Sequence, residues 1–267
     1  MLKKRSVSWA RLGLLVVVAS FISREAEGQS IASRVAAARD GKVRLTFASR
    51  PEICGYGNSI SRGGNNRMNW SSDQSPDVIY DEECSRSPVR LVLSVDDGRV
   101  TKIRTYVGGR WRPATSETTD LGAVSTRAAT DYLISLASTD QGNVGREAIM
   151  PVTLADSVTP WPQLFRLARE SNVPNGTRKQ AVFWLGQAAS DVVSPDHYGR
   201  DRESDDSEVK KQAVFALSQR RNAEAVPALI QVARNNKDPE VRRTAIFWLG
   251  QSGDPRALSL FEDILRR

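Results

Sequence analysis

Three stretches of this chain are near copies of one another: QAVFWLGQ at 180–187, QAVFALSQ at 212–219 and TAIFWLGQ at 244–251, each 32 residues after the last. A fixed period between roughly 20 and 50 residues marks stacked supersecondary units that cannot bury their apolar faces singly. Ala181, Ala213 and Ala245 share one repeat position, as do Phe183, Phe215 and Phe247, and Leu185, Leu217 and Leu249. Matching positions predict matching contacts between successive layers. The period of 3.6 begins near Asp120, with segments at 123–138, 145–157, 161–171 and 177–190. Each reads as a helix of about three turns, too short to persist alone in water. LFRLAR (164–169) matches LIQVAR (229–234), and ALSLFEDIL (257–265) closes the series. Asp238-Pro239 and Asp254-Pro255 each supply an N-cap followed by proline at the first helical position. Between the first two copies, AASDVVSPDHYGRDRESDDS (188–207) stands where an outer helix belongs. Its Pro, Gly and charges predict a truncated or disordered element.

The phrase DPEVRRTAIFWLGQSGDPRALSLFEDIL (238–265) resembles HEAT-like repeats, especially the short type named after phycobilisome lyases. There a Val-Arg start leads into Ala-Ala-x-Ala-Leu-Gly and then Gly-Asp-Pro. The resemblance covers about 160–267, and the chain as a whole is similar to exported bacterial HEAT-repeat proteins. It implies a mainly α fold, an α-solenoid over 116–267. For function it implies a scaffold or a peptide binder, with DNA binding and lyase or isomerase activity as alternatives.

The repeat position x of that pattern points away from the core, yet all three copies place phenylalanine there. One turn earlier stand Lys179, Lys211 and Arg243; one turn later stand Gln187, Gln219 and Gln251. Residues four apart share a helix face, so each helix presents a base, a Phe and a Gln in line. Stacked, these lines become ladders on a concave face, suited to an extended peptide or an envelope protein with acidic residues. The alternative is that the rings and amides only tie helix to helix. Trp184 and Trp248 occupy the core Ala position and are expected to pack.

Residues 29–115 have a different character. A helix is expected over 30–41 and a strand over 42–50, followed by a hairpin in which 88–95 and 99–111 flank the turn 96–98. The stretch from Cys54 to Cys84 is rich in Gly, Asn and Ser and reads as a long irregular loop. These are the only two cysteines, without a CxxC pattern, and are expected to form a structural disulfide. The sheet needs the following helices to pack on; an open strand edge would be a route for strand addition by a peptide.

The first 28 residues carry Lys3, Lys4 and Arg5, an apolar run at 12–22, and Ala26 and Gly28 spaced for cleavage before Gln29. That is the pattern of a secretory signal, so a periplasmic or secreted protein is expected; an uncleaved N-terminal anchor is the rival reading. Of the formal charge of +7, this segment holds +3, and the remainder argues weakly for nucleic acid. His197 is the only histidine. DRESD (201–205) has the alternate acids of a calcium loop, but Asp206 and Gln212 stand where its glycine and bidentate Glu belong. No nucleophile–histidine–acid order, phosphate loop or metal motif is present, so a non-enzymatic interaction protein without cofactor is expected.

Overall fold

The structure, a computed structural model, describes residues 30–57, 59–62, 66–69, 75–140, 142–193 and 205–266. The expected signal (1–28) and His197 lie outside the described residues. The chain is about half helical, with a small sheet-rich N-terminal region and a helical C-terminal one.

Helix α1 (Ile31–Ala37) starts at Ser30, whose hydroxyl accepts from the Ser33 amide at 3.2 Å. The strands are β1 (Gly41–Phe47), β2 (Ile53–Gly55), β3 (Ser59–Arg62), β4 (Asn66–Asn69), β5 (Val78–Ile79), β6 (Val89–Asp96), β7 (Arg99–Val107), β8 (Arg110–Trp111) and β9 (Thr118–Ala123). The main sheet runs β7-β6-β1-β9. Its β6–β7 hairpin closes on Asp97 and Gly98, both at positive φ, the geometry an Asp-Gly turn favours. Two corrections apply to the expected topology. The stretch 54–84 is not one long loop, because β2, β3 and β4 form a small sheet and β5 pairs with β8. The chain also makes a fourth main strand, β9, parallel to β1. Only Leu121 of β9 is buried, so the segment lacks the alternation that announces a strand.

Cys54 and Cys84 form the expected disulfide. The outer edge of β7 is occupied: Glu147 takes the Ile103 amide at 2.7 Å, and Gly57 bridges to Val107. On β9, Asp120 folds onto the Gly122 amide at 2.8 Å and the register shifts. Bulges and charges of this kind blunt a sheet edge, which disfavours strand addition.

The helices are α2 (Thr126–Thr139), α3 (Val144–Glu147), α4 (Ile149–Thr153), α5 (Trp161–Arg169), α6 (Asn175–Val193), α7 (Asp205–Ser218), α8 (Asn222–Asn235), α9 (Pro239–Ser252) and α10 (Leu258–Leu265). The single helix expected over 145–157 is thus two short ones. The stretch 188–207 opens inside α6 and ends inside α7, leaving 194–204 outside the described residues. The calcium-like spacing from 201 is overtaken by the helix that starts at Asp205. The Asp-Pro caps are as expected: Asp238 accepts from the Glu240 amide at 2.9 Å and Asp254 from the Arg256 amide at 3.0 Å. A hydrogen bond from the Arg256 side chain holds the Asp254 carboxyl below its ordinary range. Asp254 opens a short 3-10 turn before α10. Among the described residues no helix is long and apolar enough to cross a membrane.

The main hydrophobic core runs from Ile31 in α1 to Phe261 in α10, and a smaller cluster of Val78, Val92 and Tyr106 lies with Tyr80 and Trp111 on the sheet's other face. Val43, Leu45, Phe47, Leu91 and Leu93 on the sheet's inner face belong to the main core, together with Leu133, Leu164 and Leu185 of the helices. The sheet therefore packs on the helical half, as its half-apolar strands require. Arg50 fastens the junction, donating to the Ala155 and Val158 carbonyls at 3.3 and 3.4 Å and lying over the Trp161 ring.

The three repeat copies do not stack in chain order. The third, α9, lies against the first, α6, and also against the second, α7. Helices α6 and α9 run antiparallel: Lys179 meets Gly253, Gly186 meets Gly250, and Ser190 donates to the Arg243 carbonyl. Glycine makes this approach possible. A Cβ on Gly186 would fall 2.6 Å from the Gly250 Cα and 3.1 Å from the Phe261 ring. The second copy has Ser218 at this position and does not join the seam. Ala181 and Ala245 are fully buried, but Ala213 is exposed, correcting the expectation of equivalent contacts. Among the described residues, α7 has its substantial contacts with α8 and α9.

The seam makes a testable distinction. A Cβ on Gly250 would meet the Gly186 Cα and the Phe183 carbonyl oxygen at 3.2 Å, contacts that small shifts relieve. Gly→Ala within a helix gains about 1 kcal/mol of propensity. Gly250→Ala is thus expected to leave stability within about 0.5 kcal/mol of the parent. Gly186→Ala, whose Cβ would press to 2.6 Å on the Gly250 Cα, should cost about 1–2 kcal/mol net. Denaturant melts of the two variants check this; equal stabilities would refute the close seam.

Candidate partner-binding surface

The nine residues of the expected ladders are divided by the antiparallel seam. On α6 the order is Lys179, Phe183, Gln187; on α9 it is Arg243, Phe247, Gln251 in the opposite direction. Lys179 therefore lies toward the Gln251 end and Arg243 toward the Gln187 end. Like does not sit on like, and the parallel rows of bases and amides are not formed between these helices. The phenylalanines occupy the middle. Phe183 and Phe247 each precede a seam glycine by three residues, so both flank the line of contact.

Phe183 and Phe247 are half-buried, whereas Phe215 on α7 is 43% exposed. Trp248 connects Phe247 and Phe215: its ring centroid lies 5.0 Å from that of Phe247 and 5.2 Å from that of Phe215. The result is a row of aromatic rings across α9 and α7. Trp184 is buried as expected, with Phe183 edge-on at 5.1 Å. Trp248 also packs against the core as expected, half-buried, and its ring reaches from Phe247 to Phe215. Helix α7 has the exposed Ala216 where the other copies have Trp184 and Trp248.

The polar members frame this row. Lys179, Gln219 and Gln251 are exposed, while Gln187, Lys211 and Arg243 are half-buried, and Lys211 already has a partner. Aromatic rings gain more from association than exposed amides do, because they bring large apolar area with few rotatable bonds. The surface is accordingly suited to receiving apolar side chains from a partner, with the amides at its rim. A second groove, of about 380 Å³, opens where α6 ends, between Val192, Val193, Leu260 and Ile264.

A family model described as HEAT repeats matches residues 201–267. The match supports HEAT-like repeats in this part of the chain, and such repeats suggest an interaction scaffold with protein partners. It spans α7 to α10 and so includes Phe215, Phe247 and Trp248. No curated protein and no solved structure matches the chain.

Proposed function

We propose that this chain is an exported, non-enzymatic interaction protein that holds an envelope protein or peptide on the α6–α9–α7 face. The observation that carries this reading is the continuous row of Phe247, Trp248 and the 43%-exposed Phe215. An apolar ring left that open in mid-helix forgoes burial worth about 1 kcal/mol or more, which a partner restores. The HEAT-repeat match supports the scaffold reading. The disulfide and the N-terminal pattern support export, because disulfides persist in oxidising compartments.

Affinity capture from an envelope extract tests both parts. Phe215→Ser removes the exposed ring and little packing, so the variant should melt within about 1 kcal/mol of the parent and lose captured partners at least about tenfold. Undiminished capture by Phe215→Ser, with Phe183→Leu and Phe247→Leu equally silent, refutes the aromatic face. The mass of the purified N-terminus should correspond to a chain beginning at Gln29; an intact Met1 on soluble protein refutes export.

A further inference from the structure

Helix α9 lies between α6 and α7, and the two ends of this row of helices differ. At the α6 end, the flank that carries Thr177, Ala181 and Trp184 is covered. All three residues are buried, and a Cβ on Gly145 of α3 would fall 2.9 Å from the Thr177 hydroxyl oxygen. The corresponding flank of α9 carries Val241, Ala245 and Trp248, and α7 lies over it, with the Phe215 ring 5.2 Å from that of Trp248. On α7 the same flank carries Ala213 and Ala216, with Gln212 and Gln219 beside them, and all four are exposed. Among the described residues no helix continues the row past α7.

Charge limits what can cover this flank. Residues 212–219 include no charged side chain, in a protein with a formal charge of +7. Two copies of a cationic protein repel one another over most of their surface, so an uncharged stretch is where they can meet. Alanine at both 213 and 216 keeps the flank shallow, and the distance between packed helices is set by the side chains at their contact.

The symmetry follows from the closed end of the row. There α3 and α4 lie against α6, with β7 behind α3. A second copy therefore finds no matching flank at that end, and contacts cannot propagate from copy to copy. Only a two-fold contact of α7 on α7 covers the open flank in both protomers and then closes. Antiparallel packing of the kind that α6 and α9 already make sets Ala213 of one protomer against the partner's Ala216. We infer that this protein forms a symmetric dimer through the Ala213–Ala216 flank of α7. Phe215 stands about 100° around the helix from Ala216 and about 160° from Ala213, on the side of α9, so the dimer leaves the aromatic row open. The inference does not rest on partner binding there. One helix of 14 residues offers less than the roughly 800 Å² per protomer of a standard interface, so the dimer is weak and dissociates on dilution.

Sedimentation velocity of the full chain between about 5 and about 300 μM tests the inference. The parent should move from one copy toward two as concentration rises, and added salt should leave that shift intact or strengthen it, because the contact is uncharged and the copies are cationic. Ala213→Lys with Ala216→Lys retains a good helix former at both positions but opposes like charges, and should weaken self-association at least about tenfold. Ala128→Lys with Ser135→Lys adds the same charge at exposed positions of α2 and should change it less than about twofold. Phe215→Ser should likewise leave the dimer within about twofold of the parent, whatever it does to partner capture. If the lysine pair in α7 fails to fold, Ala213→Gln with Ala216→Gln should still weaken association about threefold through bulk alone. A single copy at every concentration, equal losses from the two lysine pairs, growth beyond two copies, or dissociation by salt overturns it.

Discussion

Phe261→Ala is expected to remove about 3–5 kcal/mol of stability, the largest loss from any single substitution considered for this protein. The ring is fully buried in α10 and is the side chain that reaches the α6–α9 seam, where its tip lies 3.1 Å from the place a Cβ on Gly186 would take. Truncation removes the transfer free energy of the ring and leaves a cavity that α6 and α9 cannot close, because their backbones already touch. Arg169 and Glu262 join α10 to α5 through an ion pair at the surface, where solvent screens it, so it does not compensate. Denaturant unfolding followed by circular dichroism measures the loss. A cost below about 1 kcal/mol would mean that α10 is peripheral and that the seam stands without it.

Reducing the Cys54–Cys84 disulfide is expected to cost about 3–4 kcal/mol, from the entropy returned to an unfolded loop whose ends are 30 residues apart. In a chain of this size that lowers the melting midpoint by about 10 °C. The shape of the transition carries more information than its position. Sheet and helices share one core, so the reduced protein should still unfold in a single step, shifted as a whole. Two transitions, with only the lower one moved by reductant, would show that the sheet-rich region is a separate folding unit. The double variant Cys54→Ala, Cys84→Ala should melt like the reduced parent.

The proposed surfaces differ in how visibly they were written. The phenylalanines at the outward repeat position were legible because helical spacing alone puts them on one face. That Phe247 and Phe215 form a row with Trp248 was not, since the row depends on α9 lying against α7. The open flank of α7 was hidden for a similar reason. Ala213 stands at the same repeat position as Ala181 and Ala245, and only the order of the helices in the row leaves it uncovered within the chain.

What the sequence by itself determined is what is decided within a few residues: Asp238 and Asp254 as helix caps, Asp97-Gly98 as a hairpin turn, and the 32-residue repeat of a helical phrase. Caps, turns and periodicity depend on backbone geometry and on neighbours three or four positions away, so they are readable without knowing where the chain goes next. Only the tertiary structure decided that the third copy packs antiparallel on the first, that Thr118–Ala123 becomes a strand, and that Ala213 remains in solvent. Those outcomes turn on which distant surfaces can approach closely enough to exclude water. Gly186 and Gly250, lacking Cβ atoms, let the α6 and α9 backbones close together at that seam.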